Sequence, residues 1–159
     1  MMSATEIVKT LITALQSRDM DVAANTMSDD FVVHGWTPFP LDQEKFLATQ
    51  SALLDAIPDF SYNLSDVHKA GDGVEALIQV TGTQTDDLML PMHGMPPFPA
   101  TGLAIDLPQV KVRFVLKDHK VSEMNIETVA GGGLAGLLQQ VGTELPVAPR
   151  LDEEFPPGF

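Results

Sequence analysis

The chain has 159 residues, with 22 acidic side chains against 9 basic ones and a net charge of −13. That balance excludes nucleic acid as the main partner, because phosphate binding needs clustered Lys and Arg, and it disfavours docking on an anionic membrane. The absence of cysteine removes disulfides, thiolate catalysis and zinc–thiolate sites, while 44% apolar content suits one folded domain with a single core. The N-terminal residues Met1 to Glu6 carry no basic run ahead of an apolar one, so no signal peptide is expected. No window offers the roughly 18 uninterrupted apolar residues of a membrane span, and the expected location is cytoplasmic.

In chain order, Ser3 with Glu6 three residues later forms a capping-box pattern, and Ile7, Leu11, Ala14 and Leu15 recur at helical spacing. A helix is predicted over 4–17 and a shorter one over 21–27. Phe31 to Trp36 reads as a strand stopped by Pro38 and Pro40. Asp42 caps a third helix whose buried stripe is Phe46, Leu47, Gln50, Leu53, Leu54 and Ile57, and Pro58 ends it. Strands are predicted over 61–70 and 74–85, joined at Gly71-Asp72-Gly73, with Val74, Ala76, Ile78 and Val80 on one face.

Residues 86–104 fit no period. They carry four prolines together with Met89, Met92, Met95 and Phe98. A loop of this length in a compact domain is functional or disordered, and two readings stand: a lid over an apolar ligand, or packing against another chain. Strands follow near 105–117 and 119–128, then a Gly131-Gly132-Gly133 turn and a last amphipathic segment, Leu134 to Val141. Residues 1–145 form the predicted domain, and 146–159 a Pro-rich acidic tail. Helices first, then consecutive strands, predict an α+β fold with helices on one face of an antiparallel sheet.

An ordered set of short motifs resembles the SnoaL-like branch of the NTF2-like superfamily. It comprises Phe31 to Gly35, Leu41 to Phe46, Ile57-Pro58-Asp59-Phe60, Val80 to Thr85, Thr101-Gly102 with Ile105, Phe114 to Val121, and Leu137 to Gly142. Val80 to Thr85 looks like the family's Val-Thr-Gly-Thr-His-Thr segment, with Gln84 in the place of His. The resemblance implies an NTF2-like, cystatin-like cone, in which a curved antiparallel sheet wraps the N-terminal helices and leaves a pocket at its mouth. It also implies homodimers through the outer sheet face in many members. Relatives of this kind include polyketide cyclases and ketosteroid isomerase, which need no metal or organic cofactor, and ligand binders without known chemistry.

The cyclases of this branch are expected to carry an acid/base Asp on the last strand, because a desolvated carboxylate can take a proton alpha to a carbonyl near neutral pH. The corresponding run, Ser122 to Thr128, keeps neither the family's Trp nor its Asp: Met124 and Asn125 stand there, and Glu127 is the nearest carboxylate sharing the Asn125 face. His34, in the family's His-Gly position, can donate or accept a proton near pH 7. His34, Asn125 and Glu127 are therefore the candidate catalytic residues, and Trp36, Tyr62 and Met95 the candidate substrate-binding ones. His68 and His119 are expected at the surface, and His93 lies in the Met-rich loop. No His pair has ligand spacing, so no metal site is expected, and the resemblance implies no other cofactor.

Three functions fit. One is cofactor-free acid/base chemistry on a small apolar carbonyl compound, as a cyclase, isomerase or lyase. The second is a non-catalytic small-molecule binder, and the third a dimeric interaction module. The expected partners are a small apolar molecule and a second copy of the chain.

Overall fold

A computed structural model describes residues 3–91 and 97–141. Helix α1 (Ala4–Gln16) opens with the expected capping box: the Ser3 hydroxyl accepts from the Glu6 N–H, and the Glu6 carboxylate accepts from the Ser3 N–H. Helix α2 (Met20–Thr26) runs into strand β1 (Met27–His34). After a short strand β2 (Leu41–Asp42), helix α3 (Gln43–Ala56) starts at Asp42, whose carboxylate accepts from the Lys45 N–H at 2.9 Å. Strands β3 (Ser65–Ala70), β4 (Gly73–Ile78), β5 (Thr81–Thr83), β6 (Ala104–Asp106), β7 (Val110–Lys117) and β8 (Lys120–Ile126) follow, and helix α4 (Gly133–Gln140) is the last described element.

Six strands form one curved sheet in the order β2-β1-β8-β7-β4-β3, and β5 pairs with β6 in a second, small sheet. The sheet is antiparallel except between its second and third strands, where β1 and β8 run parallel. That pairing lies between strands about 90 residues apart in sequence, so no local turn signal announces it.

The two long strands predicted over 74–85 and 105–117 are each broken, at Gln79-Val80 and at Leu107-Pro108-Gln109. Pro108 has no N–H to give a ladder, and the Leu107 N–H instead donates to the Val80 carbonyl at 2.9 Å. The sheet turns at this level, and β5 and β6 continue beyond the turn.

One sheet face carries the core. Val33, Val112, Phe114, Val74, Ala76, Ile78, Met124 and Ile126 are buried against the helices, with Phe31 meeting Phe46 of α3 at a centroid distance of 5.9 Å. Each large side chain fully buried here contributes about 1.5–3 kcal/mol. The opposite face is partly exposed and mixed, with Val32, Leu77 and Val115 beside Glu75, Arg113, Glu123 and Asn125. Helix α4 closes the core with Leu134, Leu137 and Leu138 buried, and its Gln140 amide pairs with both peptide groups of Asp106, at 2.6 and 2.8 Å.

The family motifs acquire structural reasons. Asp59 accepts from the Thr83 N–H at 2.7 Å and from the Thr83 hydroxyl at 3.1 Å, tying the turn after α3 to β5. A Cβ on Gly82 would lie 2.3 Å from the Ile57 side chain, so the glycine is required by close approach of the two segments. The Pro-rich excursion is ordered on both of its described arms. Leu88 and Phe98 exchange backbone hydrogen bonds of 2.8 Å and are buried, while the fully buried Gln84 side chain donates to the Phe98 and Pro99 carbonyls and accepts from the Thr101 hydroxyl. Met89 on the near arm is exposed. Met92, His93 and Met95 at the tip, and the 146–159 tail, lie outside the described residues.

Candidate functional site

The residues singled out in the sequence divide between two faces of one sheet. His34 and Asn125 are brought side by side by the parallel pairing of β1 with β8, but on the outer, partly exposed face. They end a row that crosses five strands, His68–Glu75–Arg113–Asn125–His34, each residue standing opposite the next. Within the row Arg113 reaches Glu75 at 3.3 Å and also Asp72 at 3.1 Å, and His68 lies 3.7 Å from Glu75. These are exposed or half-exposed pairs, worth at most about 1 kcal/mol each. Neither the His34 nor the Asn125 side chain makes a hydrogen bond to a described residue, and His34 is exposed.

Glu127 lies one residue beyond β8 and is exposed; its carboxylate accepts from the Lys111 N–H at 3.0 Å and so completes the β7–β8 ladder. The buried positions of β8 are Val121, Ser122, Met124 and Ile126. Asn125 is half-exposed and Glu127 exposed, so neither stands among the buried positions of the strand. His68 and His119 are exposed, as expected, with His119 in the left-handed region at φ 63°.

Trp36 is in the interior, 3% exposed. Two residues after His34, regular alternation would put it on the outer face. Gly35 prevents this: its φ of +91° turns the chain, and no Cβ fits there, since it would lie 2.0 Å from the Ile126 carbonyl oxygen. The Trp36 carbonyl accepts from the Leu134 N–H of α4 at 2.9 Å. Its indole Nε1 is the one buried side-chain nitrogen or oxygen among the described residues without a hydrogen-bond partner. A donor left so costs about 1–3 kcal/mol.

Tyr62 is fully buried. Its hydroxyl donates to the Gln50 carbonyl oxygen at 2.5 Å, and the Gln50 amide donates to the Leu15 carbonyl at 3.3 Å. Burial pushes the Tyr62 phenol well above its usual range, so it stays protonated. Gln50 stands on the buried stripe of the third helix as the spacing predicts, and a glutamine on that otherwise apolar stripe is the signal for its pairing with Tyr62. Gln84 was also missed as an interior residue, although it stands where the resembling segment has His.

The buried polar side chains among the described residues are Thr26, Thr49, Gln50, Tyr62, Gln84 and Ser122, together with the Trp36 indole. They include no carboxylate and no imidazole. No three His, Asp or Glu side chains among the described residues converge on a point where a metal could bind. An exterior cleft of about 470 Å³ is lined by Ser28, Asp30, Lys117 and Lys120. Hydrogen bonds from Ser28 and then Lys117 hold the Asp30 carboxyl below its usual value, and no candidate site residue lines this cleft.

The model of the SnoaL-like domain family matches residues 8–124. The chain belongs to this family. Among solved structures, IdmH of Streptomyces antibioticus, proposed to be a polyketide cyclase, is similar with a TM-score of 0.64 at 20% identity, covering 89% of this chain and 100% of its own. A proposed SnoaL-like polyketide cyclase from a Jannaschia species is similar with a TM-score of 0.60 at 25% identity, covering 77% of this chain and 82% of that one. A Catenulispora acidiphila protein of ketosteroid isomerase-like fold, solved with trimethylamine, has a TM-score of 0.60 at 15% identity, covering 92% of this chain and all of that one. No curated protein matches the sequence. Among the described residues no helix is long and apolar enough to cross a membrane.

Proposed function

We propose that this chain is a small-molecule-binding SnoaL-like protein that takes up an apolar compound in its cone and acts without acid/base catalysis there. The observation that carries the reading is the makeup of the interior. Among the described residues its polar side chains are amides, hydroxyls and one indole, and the buried positions of the last strand are Val121, Ser122, Met124 and Ile126, none of them an acid or a base. A base for proton abstraction has to be a group that titrates near the working pH and touches the substrate. The candidate acid/base residues His34 and Glu127 are both exposed.

Native mass spectrometry of the purified protein is expected to show a bound apolar compound that organic extraction releases. His34→Ala is expected to leave both that binding and the melting temperature unchanged within about 1 °C, since His34 is exposed and holds no partner among the described residues. Turnover of the extracted compound that is lost in His34→Ala would overturn the binding reading in favour of the enzyme.

A homodimer through the outer sheet face belongs to the same proposal. The chain as a whole carries −13, which opposes self-association, but the centre of this face mixes Glu75 and Glu123 with Lys111 and Arg113. A second copy can approach there with acids opposite bases. Sedimentation is expected to give twice the 17.2 kDa chain mass, and Asn125→Arg, which adds a second positive charge beside Arg113 on that face, is expected to give monomer with the fold retained. A monomer at every concentration removes the dimer from the proposal.

A further inference from the structure

We infer that the two-fold axis of the dimer runs along the strands between β7 and β8, setting His34 of each copy against the partner's Glu75, and that the dimer therefore tightens as the pH falls. The inference rests on the outer-face dimer proposed above and adds its axis and its control. Sheets packed face to face keep their strands within about 30° of each other, and a two-fold brings the same face of both copies together. The six strands lie in the order β2-β1-β8-β7-β4-β3, so the boundary between β8 and β7 is the middle of the sheet. An axis there covers the most surface.

The row Glu75–Arg113–Asn125–His34 has this boundary at its centre. Turning the row about the axis lays Arg113 on the partner's Asn125 and Glu75 on the partner's His34. The guanidinium then donates to the amide oxygen, and the imidazole gains a carboxylate. His34 and Asn125, whose side chains have no hydrogen-bond partner among the described residues, both acquire one. Axes placed along or across single strands put like charges together. An axis along the row sets Arg113 on the partner's Arg113 and Glu75 on the partner's Glu75. An axis along β7 stacks Arg113 and Lys111 on their own copies, and one along β8 stacks Glu123 on its own. Between β7 and β8, the one poor match is Val115 against Glu123.

Protonation below about pH 6.5, the ordinary range of an imidazole, gives His34 a charge that the partner's Glu75 attracts. A proton held more strongly in the dimer favours the dimer as pH falls, and the gain is lost as pH rises. Glu75 also has neighbours in its own chain: Arg113 at 3.3 Å, and His68 at 3.7 Å, which in turn lies 3.8 Å from Asp66. Arg113 further reaches Asp72, while Glu123 and Asp42 stand opposite Val32, two residues before His34 on β1. His68 is thus the second histidine of this face and the control for the first.

Analytical ultracentrifugation of the full chain at pH 8 and pH 5.5 tests this. The dimer Kd is expected to fall about three- to thirtyfold from the higher to the lower pH, since two such contacts form per dimer. His34→Gln is expected to lose most of that dependence and His68→Gln to keep it. His34→Lys, charged at both pH values, is expected to dimerise at pH 8 as tightly as the parent chain does at pH 5.5. His34 is exposed, so circular dichroism should show its variants folded. Should they not fold, the pH dependence of the parent chain decides alone. A dimer of equal strength at both pH values, a dependence that survives in His34→Gln, or a His34→Lys chain no tighter than the parent at pH 8 overturns the inference and leaves the outer-face dimer standing. A chain that is monomeric at every concentration and at both pH values brings down the dimer and this inference together.

Discussion

Gly35→Ala is expected to yield little or no folded protein. The residue sits at φ +91°, in the left-handed region, and an added Cβ would lie 2.0 Å from the backbone oxygen of Ile126. Backbone cannot move aside as a flexible side chain can, and β1 and β8 are held in register on either side. Left-handed strain of about 1–2 kcal/mol adds to an overpacking cost of about 1–3 kcal/mol. Together these reach a large part of the about 5–15 kcal/mol that keeps a domain folded. Urea unfolding followed by circular dichroism checks this, and any refolded fraction should show an exposed, red-shifted Trp36. A variant as stable as the parent chain would mean that the kink does not set the indole in the interior.

The second large effect concerns the only tyrosine. Tyr62→Phe is expected to cost about 1–3 kcal/mol, because it removes the donor to the Gln50 oxygen in a place that no water reaches. The same burial gives a pH signature. The folded-state phenol titrates well above the unfolded-state one. Below about pH 10 both states hold the proton and stability is unaffected. Above it the unfolded chain releases the proton and the folded one does not, so stability falls as pH rises, by about 1.4 kcal/mol per unit from this group. Tyr62→Phe should lack that slope. Phenolate absorbance in the parent chain should appear only as the protein unfolds, and its appearance in the folded protein would show that Tyr62 is open to solvent.

These two positions mark where the readable part of the chain ends. Local pattern was enough for α1, whose capping box and apolar period are complete within 17 residues, and for α3, where Asp42 and Pro58 mark the two ends. The alternation of Val110, Val112 and Phe114 with Lys111 and Arg113 identified the buried face of β7 correctly. Two breaks went unseen: Gln79-Val80 and Leu107 to Gln109 interrupt strands that read as continuous, because the bend belongs to the sheet and only Pro108 hints at it.

The candidate site was legible as residue types and far less as geometry. Period-2 reasoning puts Asn125 and Glu127 on one face, but it cannot say which face looks inward, because that depends on where the helices pack. The sequence by itself determined the family, the helix boundaries and caps, the alternating strands, and the departure at Met124-Asn125 from the expected acid/base run. Only the tertiary structure decided that His34 and Asn125 meet on the outer face, through a parallel pairing between the first and last long strands. It alone decided that Trp36 turns inward, since a left-handed glycine one residue earlier cancels the alternation. A donor without an acceptor is likewise a property of a packed interior, and the order of the residues does not contain it.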